Sequence, residues 1–264
     1  MMNYAKLWKP HALAKGKGLE LELGALKLWV HRGDRDWHLA YESDTQERER
    51  FALSQSDAPF NPDRDWTRWF LDEKITELRM QPMLPDRPII VRPEMPVCLM
   101  PKQAVQFFIG IPLWLGISFD AKNGRVIEIP TQRLSNSWFG TFSEGELCYA
   151  VKTKVKLRKE DLSPAVSRVV FPLEVRNASQ TKLNFERLCI RPQFLSIYQG
   201  KSRLWTNKGR ASYRGEENWS RMVYASTAPD FEEAGRLLGK ARETTQRGSI
   251  LKTFDNLKQR VDLS

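Results

Sequence analysis

The chain contains little of what metal sites and enzyme active centres usually need. Among its 264 residues there are three cysteines and three histidines. The cysteines, Cys98, Cys148 and Cys189, are too few and too far apart in the sequence for a disulfide framework or a structural zinc site. A phosphate-binding P-loop and the G-x-S-x-G and H-E-x-x-H motifs are also missing. We therefore predict no catalytic residue, no bound metal, no cofactor and no enzymatic activity.

Long hydrophobic runs are missing as well. The most apolar window, Phe107–Phe119, is too short to span a bilayer and is interrupted by Gly110 and Pro112. No apolar stretch of signal-peptide length follows the lysines near the start of the chain. We therefore expect a cytoplasmic protein with reduced thiols and without a transmembrane segment of its own. Any contact with the inner membrane would then be peripheral.

The few cysteines and histidines have ordinary structural explanations. Each cysteine lies between apolar residues in a strand-like stretch, which favours a buried, inert thiol over a nucleophile. His31 and His38 would be cross-strand neighbours on a hairpin, where Asp34 and Asp36 could help them to hold a cation. Hairpin ends are commonly polar simply because they are solvated. We therefore favour a solvated hairpin end over a cation site.

Strand-like alternation dominates what the sequence does contain. Hydrophobic residues make up 41% of the chain, with nine tryptophans and thirteen phenylalanines, and this excludes a disordered chain. Leu19–Leu23 alternates strictly between apolar and polar residues, and Leu26–His31 follows after Gly24. Many such short stretches are separated by Gly, Pro, Asn and Asp. This pattern predicts a mainly β fold with two β-sandwich-like halves of antiparallel strands.

We predict three segments along the chain. An N-terminal half covers residues 1–134, a basic C-terminal half covers residues 135–227, and a helical element covers residues 228–264. A short helix near residues 62–74 is expected in the first half, because Asn61 followed by proline is a helix-start signal.

The C-terminal element is predicted to be an amphipathic helix or helix pair. Phe231 and Ala234 begin an apolar stripe at helical spacing, and Phe254, Leu257 and Val261 continue it. We expect this stripe to pack on one of the protein's own β-sandwiches or to bind a partner protein.

Positive charge is concentrated in the second half. Residues 133–264 hold 24 basic and 14 acidic side chains, whereas residues 1–132 hold 18 of each, so the whole formal charge of +10 lies after residue 132. The candidate surface for an anionic partner combines a predicted strand with a predicted hairpin, residues 201–214, and consists of Lys152, Lys154, Lys156, Arg158, Lys201, Arg203, Lys208 and Arg210.

Three interpretations of this basic surface stay open. An anionic membrane surface or an acidic protein partner would relieve the repulsion between neighbouring cations. Nucleic acid would use the cations for phosphates and the interleaved Trp205 and Tyr213 for stacking. An ordinary hairpin with aromatics inward and cations outward would need no partner.

Several blocks of the sequence resemble a known family. They are Arg87–Pro96, Ile111–Leu115, Ser135–Gly140, Gly145–Ala150, Glu186–Pro192 and Leu204–Thr206. In this order they resemble the archaeal and bacterial family known as domain of unknown function 432, over residues Gly18 to Tyr224. The resemblance implies no established activity, cofactor or catalytic residue. Genes of this family often lie beside genes for small-conductance mechanosensitive channels, which implies an accessory role at such a channel.

The sequence therefore predicts a non-enzymatic, cytoplasmic interaction protein. Its expected partner is a protein, such as a membrane channel, or the anionic inner-leaflet surface. The alternative is a nucleic-acid-binding module that uses residues 201–214. A hydrolase whose site is assembled from distant residues is a third class, and a perturbed ionisable group in a polar pocket would point to it.

Overall fold

The computed structural model describes residues 6–46, 48–57, 60–119, 127–143, 145–162, 166–215, 221–243 and 254–255. In these residues the protein is mainly β, which confirms the predicted fold class. The strands are β1 (Pro10–Ala12), β2 (Gly18–Leu23), β3 (Leu26–Arg32), β4 (Asp36–Ser43), β5 (Phe51–Ser56), β6 (Thr67–Phe70), β7 (Glu77–Met83), β8 (Ile89–Pro93), β9 (Val97–Leu99), β10 (Ala104–Pro112), β11 (Trp114–Ser118), β12 (Ile127–Pro130), β13 (Ser135–Phe139), β14 (Glu146–Val155), β15 (Arg168–Asn177), β16 (Leu183–Phe185), β17 (Arg187–Ile190), β18 (Ile197–Gln199), β19 (Leu204–Thr206), β20 (Gly209–Tyr213), β21 (Arg221–Tyr224), β22 (Arg236–Gly239) and β23 (Phe254–Asp255). The short 3₁₀ helices Lys159–Asp161 and Pro192–Phe194 interrupt them.

The chain forms two compact units, and each is built from non-contiguous segments. Unit 1 contains residues 1–83, 112–133 and 164–167, and unit 2 contains residues 84–111, 134–163 and 168–264. Among the helical residues that the structure describes, no helix is both long enough and apolar enough to cross a membrane.

Unit 1 consists of a five-stranded sheet, β5-β2-β3-β4-β6, and a four-stranded sheet, β1-β7-β11-β12. Strict alternation explains the hairpin of β2 and β3: Leu19, Leu21 and Leu23 are buried, as are the apolar residues opposite them. Gly24, which joins the two strands, has a φ of +64°. A side chain there would be strained and would collide with Ser167.

Unit 2 consists of a seven-stranded sheet, a five-stranded sheet and a two-stranded ribbon of β9 and β16. The seven-stranded sheet has the order β21-β20-β15-β19-β18-β22, with β10 also paired to β15, and the five-stranded sheet has the order β13-β14-β8-β17-β23. Most pairings are antiparallel, as expected. The structure adds parallel pairings of β15 with β19 and β20, and of β14 with β8.

The predicted short helix near residues 62–74 is wrong. Asn61 does accept a hydrogen bond from the backbone N–H of Asp63, at 2.9 Å, but it closes a single turn. The chain then enters β6, whose β-branched and aromatic residues pair with β4.

The predicted C-terminal helical element is also wrong for the described residues 228–243. Glu232 and Glu233 both have left-handed φ angles, 51° and 53°, which a right-handed helix does not allow. The chain then forms β22, which pairs with β18. Phe254 lies in β23 and pairs with Leu188, whereas Leu257 and Val261 lie outside the described residues.

Candidate functional site

The predicted basic surface lies in unit 2, and acidic side chains of the same unit accompany most of it. The ion pairs are Lys156–Glu94 (2.7 Å), Lys201–Glu233 (2.5 Å), Arg203–Glu232 (3.2 Å), Lys208–Asp230 (2.5 Å) and Arg210–Glu174 (2.9 Å). Arg158 is exposed, and the side chains of Lys152 and Lys154 lie outside the described part of the chain. An anionic partner would therefore compete with five carboxylates for these cations.

The segment 201–214 is not the predicted hairpin. Both β19 and β20 run parallel to β15, so residues 204–213 form one interrupted strand beside it. Asn207 sits at the interruption and is buried. Its Oδ1 accepts from the N–H of Ser196 at 2.8 Å, and its Nδ2 donates to the carbonyl of Ala225 at 2.6 Å. The register against β15 gains one extra residue between Trp205 and Gly209, so the strand contains a bulge here. The two hydrogen bonds of the Asn207 side chain hold this bulge in place.

Of the two aromatic residues expected to stack on bases, Trp205 lies in the core, whereas Tyr213 is only half-buried. Trp205 is fully buried and stacks on Phe231, with 5.0 Å between ring centroids, and it meets Phe108 edge-on. A base cannot stack on a ring that is packed on both sides without unfolding part of the core.

A different group of polar residues converges inside unit 2. On β14, Glu146 and Cys148 are two residues apart and therefore share one face of the sheet. Cys189 lies on β17, with Arg191 two residues further on, and β8 lies between the two strands. The Sγ of Cys189 is 3.7 Å from Oε1 of Glu146, and one oxygen or sulfur of each of Glu146, Cys148 and Cys189 lies within 4.8 Å of the others. We call these three residues the thiol cluster.

Burial and charge define the chemistry of the thiol cluster. Both cysteines are completely buried, whereas the Glu146 side chain is 36% exposed and forms an ion pair with the buried Arg191. The hydrogen bond with Cys148, and then burial, raise the pKa of Cys189, and the nearby guanidinium offsets only part of this. Burial likewise raises the pKa of Tyr224, which is bonded to the backbone of Arg191. A thiol that stays protonated is a poor nucleophile, so the cluster does not resemble a thiol active site.

The sequence predicts burial for all three cysteines, and the structure separates them. Cys148 and Cys189 are buried as predicted, but Cys98 is exposed. The cluster itself was missed because its cysteines are far apart in sequence. Nothing in the linear spacing of the sequence brings Cys148 together with Cys189.

The prediction that His31 and His38 are cross-strand neighbours is confirmed. His31 pairs with His38, with 6.0 Å between ring centroids, and Phe60 and Trp66 pack over His38. Burial lowers the pKa of His38 although the Asp36 carboxylate acts in the opposite direction. The two rings are thus partly covered by aromatic side chains, rather than forming a fully solvated hairpin end.

The hairpin of β13 and β14 exposes apolar side chains. Trp138 and Leu147 are cross-strand partners, 42% and 44% exposed, and Phe142 in the connecting loop is fully exposed. Trp138 is held in place because its Nε1 donates to the carbonyl of Thr141 at 2.8 Å and its ring lies against Gly145. We call Trp138, Phe142 and Leu147 the apolar hairpin tip.

Comparison with known proteins identifies a family. The family described as "Protein of unknown function (DUF432)" matches residues 7–258. Neither the curated proteins nor the solved structures give a match. Because the matched segment covers nearly the whole chain, this protein belongs to the DUF432 family, as its sequence blocks indicated.

Proposed function

We propose that the protein is a non-enzymatic interaction protein that binds its partner through the apolar hairpin tip. The observation that carries this proposal is the full exposure of Phe142 beside Trp138 and Leu147. Clustered exposed apolar side chains cost free energy in water, and tryptophan is enriched at the centres of protein interfaces.

The fixed position of the Trp138 ring supports a role for the tip in binding. The bond of Trp138 to Thr141 and its contact with Gly145 fix the ring before any partner arrives. A preorganised aromatic loses little conformational entropy on association. The opposite face of the same strands holds Phe139 and Cys148 in the core, so the tip cannot turn inward without breaking the sheet.

The partner we propose is the cytosolic part of a small-conductance mechanosensitive channel, as the family's gene neighbourhood implies. The internal ion pairs of the basic residues favour an apolar contact over a purely electrostatic one. We therefore expect binding to depend only weakly on salt.

The test uses the full chain and a purified channel in mild detergent. Burial of one large apolar side chain contributes about 1.5–3 kcal/mol, so Phe142→Ser should weaken binding roughly tenfold or more. Leu157→Ser is the matched control, since Leu157 is 61% exposed and lies outside the tip. If Phe142→Ser binds like the wild type, the hairpin contact is wrong. If the wild type does not bind the channel, the channel role is wrong.

Nucleic acid is distinguished in the same preparation. A module that binds phosphates would retain nucleic acid that nuclease removes, and its affinity would fall steeply with salt. If nucleic-acid binding is lost in Arg158→Glu but kept in Phe142→Ser, the binding surface is the basic one and not the apolar hairpin tip.

A further inference from the structure

We propose that the thiol cluster, Glu146, Cys148 and Cys189, binds one zinc ion. Two buried thiols and a carboxylate from two strands of one sheet already converge on a common point. Sulfur and carboxylate oxygen are ligands that Zn²⁺ uses in proteins, whereas Mg²⁺ and Ca²⁺ select oxygen alone.

The distances fit a tetrahedral ion. With Zn–S near 2.3 Å and Zn–O near 2.1 Å, tetrahedral angles place sulfur and oxygen ligands about 3.6 Å apart and two sulfurs about 3.8 Å apart. The Cys189 Sγ and Glu146 Oε1 atoms are 3.7 Å apart, and no pair of the three ligand atoms is more than 4.8 Å apart. Small side-chain rotations would bring all three into range of one ion.

The charges favour a divalent ion. Two thiolates and one carboxylate carry three negative charges, and the Arg191 guanidinium paired with Glu146 supplies one positive charge. A divalent cation neutralises the remainder, whereas a monovalent soft metal would leave a net charge in a buried place. Binding converts both thiols to thiolates and releases two protons to the solvent.

Arg191 acts as a positioning residue. Its ion pair orients the carboxylate of Glu146 toward the sulfurs, as outer-shell partners do at metal sites. The partly exposed Glu146 marks the side from which the ion enters. A water molecule from that side would complete the four ligands.

The test is a zinc titration of the full, tag-free chain in competition with a chromophoric chelator, after metal removal under reducing conditions. We expect one zinc per chain. Substitution of cobalt for zinc should add a thiolate-to-cobalt charge-transfer band and intense visible bands, which report tetrahedral sulfur ligation.

Variants locate the site. Cys148→Ser and Glu146→Gln should each weaken zinc binding by roughly 100-fold or more, and Cys98→Ser, at the exposed cysteine, should leave it unchanged. Glu146→Gln separates loss of zinc binding from unfolding, because the side chain of Glu146 is partly exposed. Circular dichroism should show that this variant keeps the fold. Absence of stoichiometric binding by the folded wild type, or binding that survives Cys148→Ser and Glu146→Gln, would overturn the proposal. Loss of channel binding in the Phe142 experiment has no bearing on this result.

Discussion

Asn177 provides the sharpest test of how the structure accounts for stability. This side chain, at the end of β15, is completely buried. Its Nδ2 donates to the carbonyls of Leu99 at 2.9 Å and Thr181 at 2.8 Å, and its Oδ1 accepts from the N–H and the hydroxyl of Ser179. One amide thus joins the end of β15 to the end of β9 and to the turn after residue 177.

The expected cost of Asn177→Ala follows from these four bonds. A hydrogen bond contributes about 1 kcal/mol net, and each buried polar group left without a partner costs more. We therefore expect the free energy of unfolding to fall by about 3–5 kcal/mol. Asn184→Ala is the matched control, because Asn184 is exposed on β16, and it should change stability by less than about 0.5 kcal/mol.

Asn177→Asp separates the donor side of the amide from the acceptor side. The aspartate keeps the bonds from Ser179 but turns an oxygen toward the two carbonyls. This raises the carboxyl pKa in the folded protein above its unfolded value near 3.9, so the folded state binds the proton more tightly. The variant should therefore lose stability as pH rises and regain part of it as pH falls from about 7 toward 4.

The assay is urea unfolding followed by tryptophan fluorescence at several pH values. If Asn177→Ala lowers the free energy of unfolding no more than Asn184→Ala does, the Asn177 bonds do not stabilise the fold as stated. If the Asp variant shows the same pH dependence of stability as the Ala variant, the carboxylate is not facing the two carbonyls.

Three further predictions concern other parts of the fold. Because burial lowers the pKa of His38, the unfolded chain binds the proton more tightly, and stability should decline as pH falls below about 6.5; His38→Gln should lack this part of the slope in urea titrations. Gly209→Ala would drive a methyl group into the ring of Phe171 and should lower the free energy of unfolding by about 1–3 kcal/mol, whereas an unchanged midpoint would show that the ring can move aside. Lys102 has a φ of +64°, so Lys102→Gly should raise the melting temperature slightly, by relief of about 1 kcal/mol of strain, and a decrease would contradict this account.

The hairpin strands β2 and β3 of unit 1 were predictable because their information is local, whereas β6 was wrongly predicted as a helix. The alternation in Leu19–Leu23 and Leu26–His31 sets which face is buried, and the short Gly24 turn sets the register between them. His31 and His38 then had to be neighbours. A period of two residues leaves few other arrangements once one face is apolar.

The tail was not predictable from its periodicity. Ala234 is indeed buried in the core, and the partly buried Phe231 packs against it, as their apolar character suggested. The same spacing is also produced by a tight turn, and two consecutive left-handed residues, Glu232 and Glu233, make that turn. Glu232 is held there because it accepts hydrogen bonds from the N–H and hydroxyl of Ser202. This tertiary contact overrides the local helical preference.

The thiol cluster could not be read from the sequence because its geometry is non-local. Cys148 and Cys189 come together only because β8 inserts between their strands, with one parallel and one antiparallel neighbour. Composition and spacing contain no information on such an insertion. Linear spacing rules detect metal sites whose ligands lie on one turn or hairpin, and this cluster is not of that kind.

The basic segment and the tail, which each suggested an external partner, are partners of one another. Phe231 stacks on Trp205, and the three acidic residues around it pair with the cations of the segment; these pairs are Lys208–Asp230, Arg203–Glu232 and Lys201–Glu233. Exposed ion pairs contribute only about 0–1 kcal/mol each. We therefore expect the aromatic contact to supply most of the free energy that holds the tail against the basic segment, and the ion pairs to fix their alignment. Since this internal contact occupies Phe231 and pairs Lys201, Arg203 and Lys208 with carboxylates, the apolar hairpin tip is the better place to look for a partner.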